Sequence, residues 1–225
     1  MMPPVHSTLR SEAVTRVLAR LRAAGAAEDE PAKRRVRARE QALGRKIYGQ
    51  ERADLYHHAP IAVTDEVGEL LYVLVLTRRP RTVVEFGASL GVSTIYLAAA
   101  VRDAGEGRVV TTEFQPEKAR LASANLAEAG LGDLVELRVG DALETLHDLD
   151  GPIDLLFLDG WNDLYLPILE LLEARLRPGA VVAADMSKDD PHHARYREYV
   201  RDPAHGYFTI ELPLDDGVVL SVRQP

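Results

Sequence analysis

The chain has 225 residues, 46% of them hydrophobic, which suits one α/β domain or two small ones and argues against disorder. It contains no stretch of about 18 uncharged apolar residues, and residues 1–10 lack the apolar segment of a secretory signal. We therefore expect neither a membrane span nor export, and predict a cytoplasmic protein. The absence of cysteine excludes disulfides, thiolate nucleophiles and cysteine-ligated metal centres.

The formal charge of -8 is unevenly distributed along the chain. Residues 1–58 are net basic, and residues 59–225 carry the whole acidic excess. Proteins that bind nucleic acids usually present a basic surface on the domain that does the binding. We therefore expect a small-molecule partner, with no nucleic acid and no membrane involved.

The N-terminal part of the chain has helical periodicity. Apolar residues recur at helical spacing over residues 11–27, residues 28–31 break the pattern at a proline, and a more polar helix follows to about residue 48. We predict that residues 1–58 form a helical extension that acts as a lid or in dimerisation, and that residues 59–225 form the main domain. Because the apolar face of the first helix has no obvious place on a core sheet, it favours a homodimer.

From about residue 82 short apolar runs alternate with amphipathic helical segments, as is typical of a parallel sheet covered on both faces. Asp216-Gly217 signals a turn between the last two strands, which should pair as an antiparallel hairpin. We predict an α/β fold: a Rossmann-like seven-stranded, mostly parallel sheet with a C-terminal β-hairpin and N-terminal appended helices. The predicted strands are residues 82–86, 108–113, 134–138, 153–158, 180–184, 207–212 and 217–222, with helices at 92–101, 117–129, 142–147 and 164–175.

The turn after the first predicted strand carries the pattern Gly87-x-x-x-Gly91. Glycines let the backbone approach a ligand closely, and the next helix begins with free N–H groups. A dinucleotide site requires G-x-G-x-x-G, so the spacing argues against NAD or FAD. Glu113 ends the second strand, where its carboxylate can accept hydrogen bonds from both hydroxyls of a ribose. Asp141 follows the third strand, within reach of an adenine amino group. The three strand ends together indicate an adenosine site.

At these residues the chain resembles the class I S-adenosylmethionine-dependent methyltransferases, in particular the catechol and caffeoyl-coenzyme A O-methyltransferases. The resemblance runs from about residue 62 to 223, and its most specific segments are residues 84–93, 157–165 and 212–221. It implies S-adenosylmethionine as cofactor, with Glu113 on the ribose and Ser93 near the methionine part. The cofactor-binding residues that the resemblance implies are Val63, Glu85, Gly87, Ala88, Ser93, Glu113, Phe114, Asp141, Ala142, Asp159 and Trp161.

The chain departs from the metal-dependent members of that family at two positions. The resemblance places the metal between Asp159, Asp185 and an asparagine, but Met186 stands at the asparagine position. A family lysine that helps to deprotonate the substrate is replaced by Asn162. A thioether is a poor ligand for a hard cation, so Mg²⁺ binding should be weakened or lost. Whether the protein binds a divalent metal thus stays open, and Asp159 and Asp185 are the candidate ligands.

Histidine is the residue that can replace the missing base, because its ordinary pKa of about 6.5 suits proton abstraction near neutrality. His57-His58 precedes residues 59–63, the predicted entrance to the cofactor site, and His192-His193 follows the fifth strand. Either pair could instead supply a nitrogen ligand for a transition metal.

The leading hypothesis is O-methylation of a small-molecule hydroxyl, in secondary metabolism, with Asp159, His57 and His58 as the catalytic residues. Metal-independent methylation at carbon or nitrogen is the alternative reaction. A non-catalytic subunit that binds S-adenosylmethionine is the alternative from a different class.

Overall fold

The structure, a computed structural model, describes residues 7–47, 49–56, 62–186 and 190–225. Its strands are β1 (Thr82–Phe86), β2 (Arg108–Glu113), β3 (Val135–Val139), β4 (Ile153–Leu158), β5 (Leu176–Asp185), β6 (Tyr207–Leu212) and β7 (Val218–Arg223). Its helices are α1 (Glu12–Leu43), α2 (Gly49–Leu55), α3 (Asp65–Arg78), α4 (Val92–Ala104), α5 (Pro116–Glu128), α6 (Ala142–Thr145), α7 (Tyr165–Leu172) and α8 (Pro191–Arg201).

The seven strands form one sheet in the order β3-β2-β1-β4-β5-β7-β6. The first five pair in parallel, and β7 pairs antiparallel with both β5 and β6. The predicted fold class is confirmed. Strand β5 begins at Leu176 rather than at residue 180, because Leu176 pairs with Ile153 before a register irregularity. β3 and β7 each begin one residue later than predicted.

Two apolar layers cover the sheet. One joins buried residues of α1, α3, α4 and α5 to the sheet, among them Leu21, Leu71, Ile95 and Leu126. The other joins α6, α7 and α8 to the opposite face, with Tyr165 and Tyr196 at its centre. Helices on both faces explain why the central strands contain continuous apolar runs instead of alternating ones.

The predicted break at residues 28–31 is wrong, because α1 is one continuous helix of 32 residues that passes through Pro31. A proline inside a helix removes one backbone hydrogen bond and crowds the preceding turn, but it need not end the helix. Beyond the proline, Ala32 and Val36 are buried against Ile47 and Tyr56. Packing on both sides of Pro31 thus keeps the helix intact.

The apolar face of α1 has a place within its own chain, contrary to prediction. Val14, Val17 and Leu18 are buried in the layer that contains α3 and α4. Arg20 extends from the same helix to Glu128 of α5, with 2.5 Å between Nη2 and Oε2. The covered face therefore no longer argues for a homodimer, which stays a prediction without that support.

Helix α3 is not among the predicted elements, although its residues 70, 71 and 73–76 are all apolar. A nearly continuous apolar run does not distinguish a helix from a buried strand by periodicity. Thr64 begins this helix as its N-cap, accepting a hydrogen bond from the Val67 N–H. Among the described residues no helix combines the length and apolar character that crossing a bilayer requires.

Candidate active site

A cavity of about 540 Å³ opens at the carboxyl ends of the parallel strands. It lies beside β1, which is flanked by β2 on one side and β4 on the other. In parallel α/β sheets ligands bind at such a switch point, because neighbouring connections leave in opposite directions and open a crevice. The volume falls in the range of about 300–1,000 Å³ that is typical of small-molecule sites.

The turn after β1 is held against β2 and β4. The Ala88 N–H donates to the Thr112 carbonyl oxygen at 2.8 Å, and Gly87 and Gly91 have φ angles of 102° and 89°. Both angles lie in the left-handed region that favours glycine. A Cβ on Gly87 would lie 2.6 Å from the carbonyl oxygen of Asp159. The first glycine is therefore required both for the turn and for its close approach to β4.

Glu113 lies on the cavity wall, and its side chain also fixes the turn of residues 87–91, called the glycine turn below. Oε2 accepts a hydrogen bond from the Ser89 N–H at 2.8 Å, and Oε1 accepts one from the Gln115 N–H at 2.9 Å. Burial raises the pKa of this carboxyl, while these hydrogen bonds and Lys118 oppose the shift. Because each carboxylate oxygen can accept a second hydrogen bond, Glu113 can hold the turn and a ribose together.

The predicted cofactor residues divide into two groups. Those on the cavity wall are Gly87, Glu113, Phe114, Asp141, Ala142, Asp159 and Trp161. Those buried behind the wall are Val63, Glu85, Ala88 and Ser93. Asp141 also caps α6, accepting a hydrogen bond from the Leu143 N–H at 2.9 Å. The roles of both groups in binding stay predictions.

Glu85 is fully buried beneath the glycine turn. Its Oε2 accepts hydrogen bonds from the hydroxyls of Thr94 and Thr111, both at 2.5 Å. Burial raises the pKa of Glu85, and these hydroxyls and that of Ser93 oppose the rise. The carboxyl thus ties the start of α4 to β2 from below the turn.

Two acidic side chains, Asp159 and Asp185, share the other part of the cavity wall. They follow β4 and end β5, which are neighbouring strands. Burial, followed by the charges of Asp185, Glu85 and Asp215, raises the pKa of Asp159 far above its usual range. Burial and the charges of Asp215 and Asp216 raise the pKa of Asp185 to about 7, against the opposing effect of the Met186 N–H. The two groups therefore titrate as a pair and retain a proton near neutrality.

Met186 weakens the fit of these groups to a hard divalent cation. Met186 lies on the cavity wall beside the two carboxyls and offers sulfur where oxygen is needed. Within the described part of the chain no three histidine, cysteine, aspartate or glutamate side chains are placed to hold a metal ion. Asn162, at the family's lysine position, donates its amide to Asp190 at 2.9 Å and so supports the start of α8.

We expect Met186→Asn to bind Mg²⁺ at least about tenfold more tightly than the unchanged chain, because the amide adds an oxygen ligand beside the two carboxyls. Calorimetric titration with Mg²⁺ measures the difference. Met186→Leu is the matched control, since it keeps an apolar side chain of similar size and should leave Mg²⁺ affinity unaltered. Equally tight binding by the unchanged chain and Met186→Asn would contradict the prediction.

Of the two predicted histidine pairs, the structure describes one. His57 and His58 lie outside the described residues, so their catalytic role stays a prediction. His192 and His193 lie in the first turn of α8, not in a loop. The ring of His193 is buried, with its centroid 4.6 Å from that of Tyr165, whose hydroxyl donates to the Asp185 carbonyl oxygen at 2.7 Å.

The N-terminal extension contributes cavity residues that sequence analysis missed. Lys33 of α1, Arg52 of α2 and Tyr56 line the cavity together with Trp161. The rings of Tyr56 and Trp161 lie 6.1 Å apart between centroids, tilted by 56°. No motif marks these residues, because their position depends on how α1 and α2 pack over the sheet.

Comparisons with known proteins agree with this geometry. The family described as methyltransferase domain matches residues 84–185. A catechol O-methyltransferase of Mycobacterium tuberculosis is 42% identical over 127 residues, which cover 56% of each chain. The chain thus spans little more than half the length of that relative.

Two longer matches extend the likeness. A provisionally named O-methyltransferase of Mycobacterium sp. (strain JLS) is 33% identical over 72% of this chain and 79% of its own. The crystal structure of the O-methyltransferase TomG from Streptomyces achromogenes, in complex with S-adenosylmethionine, has a TM-score of 0.66 and 28% identity, covering 77% of this chain and 86% of that one. Together with the glycine turn, Glu113 and the acidic pair, these matches show that the chain belongs to the class I S-adenosylmethionine-dependent O-methyltransferase family.

Proposed function

We propose that the protein transfers a methyl group from S-adenosylmethionine to a hydroxyl of a small molecule. The observation that carries the proposal is one cavity with two chemically different parts. The glycine turn and Glu113 offer close backbone approach and hydrogen-bond acceptors that suit an adenosine. Asp159 and Asp185 offer a half-buried carboxyl pair that suits proton transfer from a hydroxyl.

When bound, S-adenosylmethionine supplies an electrophilic methyl group, so the chain has to align the acceptor, exclude water and take up a proton. We assign the proton uptake to the ionised Asp185. Burial and the neighbouring charges raise the pKa of both carboxyls, and we assign the proton that the pair retains near neutrality to Asp159. The neutral Asp159 can then donate a hydrogen bond to the acceptor oxygen. The predicted catalytic role of His57 and His58 remains part of the proposal.

We assign the N-terminal extension, predicted as residues 1–58, the role of a cover over the acceptor part of the cavity. Contacts of Arg52 and Tyr56 with Trp161 support this assignment, since they bring the extension against the wall formed after β4. The cytoplasmic location, the homodimer and the role in secondary metabolism belong to the same proposal.

The test has two stages. Calorimetry with S-adenosylmethionine should give binding that Glu113→Ala weakens by about tenfold or more, because two charge-assisted hydrogen bonds are lost. Transfer of a labelled methyl group is then measured over a panel of hydroxyl, amine and carbon acceptors, with and without EDTA. Transfer to a hydroxyl that persists in EDTA is the expected result.

Other outcomes of this test select the other hypotheses. Transfer to carbon or nitrogen only would replace the proposed reaction with the alternative one. Cofactor binding without transfer to any acceptor would favour the non-catalytic subunit. Transfer that EDTA abolishes would contradict the metal-free carboxyl pair.

A further inference from the structure

Arg52 is the cationic side chain that the N-terminal extension brings to Trp161 in the cavity wall. Its guanidinium carbon lies 5.5 Å from the centroid of Trp161 and 5.9 Å from that of Tyr56. Both distances are within the range of about 6 Å over which a guanidinium is attracted to an aromatic ring. The two rings therefore restrict where the guanidinium can lie.

The guanidinium donors of Arg52 find no acceptor among the residues that the structure describes. Among the described residues Arg52 forms neither a hydrogen bond nor an ion pair, and its Nε is buried without a partner. Glu40 is close enough for Arg52 to contribute to lowering its pKa, but its carboxylate is bound by Lys46 at 2.8 Å and by the Ile47 N–H. Because the Arg52 side chain lines the cavity, the terminal Nη1 and Nη2 groups of its guanidinium are the donors available to an acceptor from outside the chain.

Charge is distributed unequally around the cavity. Lys33 and Arg52 of the extension place two positive charges on the same part of the cavity wall. The part that we assign to the reacting hydroxyl is lined by Asp185, Asp215 and Asp216, together with the neutral Asp159. An anionic group is repelled by that acidic part and attracted to the extension. A molecule with a hydroxyl at one end and an anion at the other would therefore bind in one orientation.

We propose that the acceptor is a hydroxylated carboxylic acid whose carboxylate is bound by Arg52. This inference rests on the proposed function. A guanidinium presents donors in a planar fork that matches the two oxygens of a carboxylate. Because the rings of Trp161 and Tyr56 lie within cation–π distance of the guanidinium, less side-chain freedom is lost when the carboxylate binds. Arg52 is then a specificity-determining residue that selects acids over their neutral analogues.

The experiment compares acids with their methyl esters by calorimetry, in protein saturated with S-adenosylhomocysteine. The probes are 3,4-dihydroxybenzoate and 3-(3,4-dihydroxyphenyl)propanoate, which place the carboxylate at two distances from the hydroxyls. At least one acid should bind roughly tenfold to a hundredfold more tightly than its ester, the range that a charged hydrogen-bonded pair gives. Arg52→Gln should abolish this preference, and Arg52→Lys should keep part of it.

The ratio of acid to ester separates recognition from general damage, because a distorted cavity weakens both ligands. Arg34→Gln is the matched control, since it removes the same charge from an exposed position of α1 outside the cavity wall. It should leave the ratio unchanged. Equal affinities of acid and ester in the unchanged chain, no measurable binding of either acid, or a preference that survives Arg52→Gln would overturn the proposal. Arg52-dependent acid binding without methyl transfer would support this inference and contradict the proposed function alone.

Discussion

Asp185→Asn is expected to lower kcat by about 10²- to 10⁴-fold, the contribution that a positioned general base usually makes. The amide keeps the size of the side chain but cannot accept a proton near neutrality. Because the cofactor is assigned to the glycine turn and Glu113, the Kd for S-adenosylmethionine should stay close to that of the unchanged chain. Single-turnover methyl transfer measures the loss, and calorimetry measures the Kd.

The pH dependence tests the role of the same carboxyl. With a pKa raised to about 7, Asp185 is neutral below that pH and cannot take up a proton, so kcat should rise as the pH increases through this value. Asp215→Asn should move the midpoint to lower pH with little change in the plateau, because the charge of Asp215 contributes to the raised pKa. Asparagine also tolerates the φ of 52° at this position, so the turn should be preserved.

A matched control separates proton transfer from a general charge effect. Asp163 also lines the cavity and is partly exposed, and Asp163→Asn removes one carboxylate without touching the pair. It should leave both kcat and the midpoint close to those of the unchanged chain. If Asp185→Asn retained most of its turnover with the same pH midpoint, the base assignment would be wrong.

Most of the sheet could be predicted from the sequence because its central strands are apolar runs separated by helices and its last two strands flank a turn signal. β1, β2, β4 and β6 begin and end at the predicted residues. The errors lie where local pattern and tertiary packing disagree. Pro31 suggested a break, but the burial of Ala32 and Val36 beyond it keeps α1 whole. The apolar face of α1 suggested a second subunit, although α3 and α4 of the same chain cover it.

The candidate site was predictable to the extent that its residues are strand ends. Gly87, Glu113, Asp159 and Asp185 each follow or end a strand, and parallel strands bring such positions to one edge. Arg52 could not be found in this way, because it lies on a short helix far from any motif. Its proximity to Trp161 arises from the packing of the extension across the sheet, which the sequence pattern does not specify.

Gly87→Ala is expected to lower the affinity for S-adenosylmethionine by at least about tenfold and to destabilise the fold by about 2–5 kcal/mol. Two effects combine at this position. A φ of 102° is strained for any residue with a Cβ. The added carbon would also lie 2.6 Å from Asp159 O and 2.8 Å from the Gly160 Cα, and both are backbone atoms that cannot rotate away. The turn has to move, and with it the Ser89 N–H that binds Glu113.

Gly105→Ala separates the two effects, because Gly105 has a φ of 83° but no atom within 4 Å of the position that a Cβ would occupy. This control introduces the backbone strain alone. Its free energy of unfolding should fall by about 1–2 kcal/mol, and its cofactor affinity should stay unchanged. Thermal unfolding and calorimetry of the two variants give the stability and binding terms separately. Equal destabilisation of both, with cofactor binding intact in Gly87→Ala, would mean that the turn can yield without disturbing the site. If Gly87→Ala loses more stability than Gly105→Ala and also loses cofactor affinity, the contact between the glycine turn and the end of β4 is the feature that fixes the cofactor relative to Asp159 and Asp185.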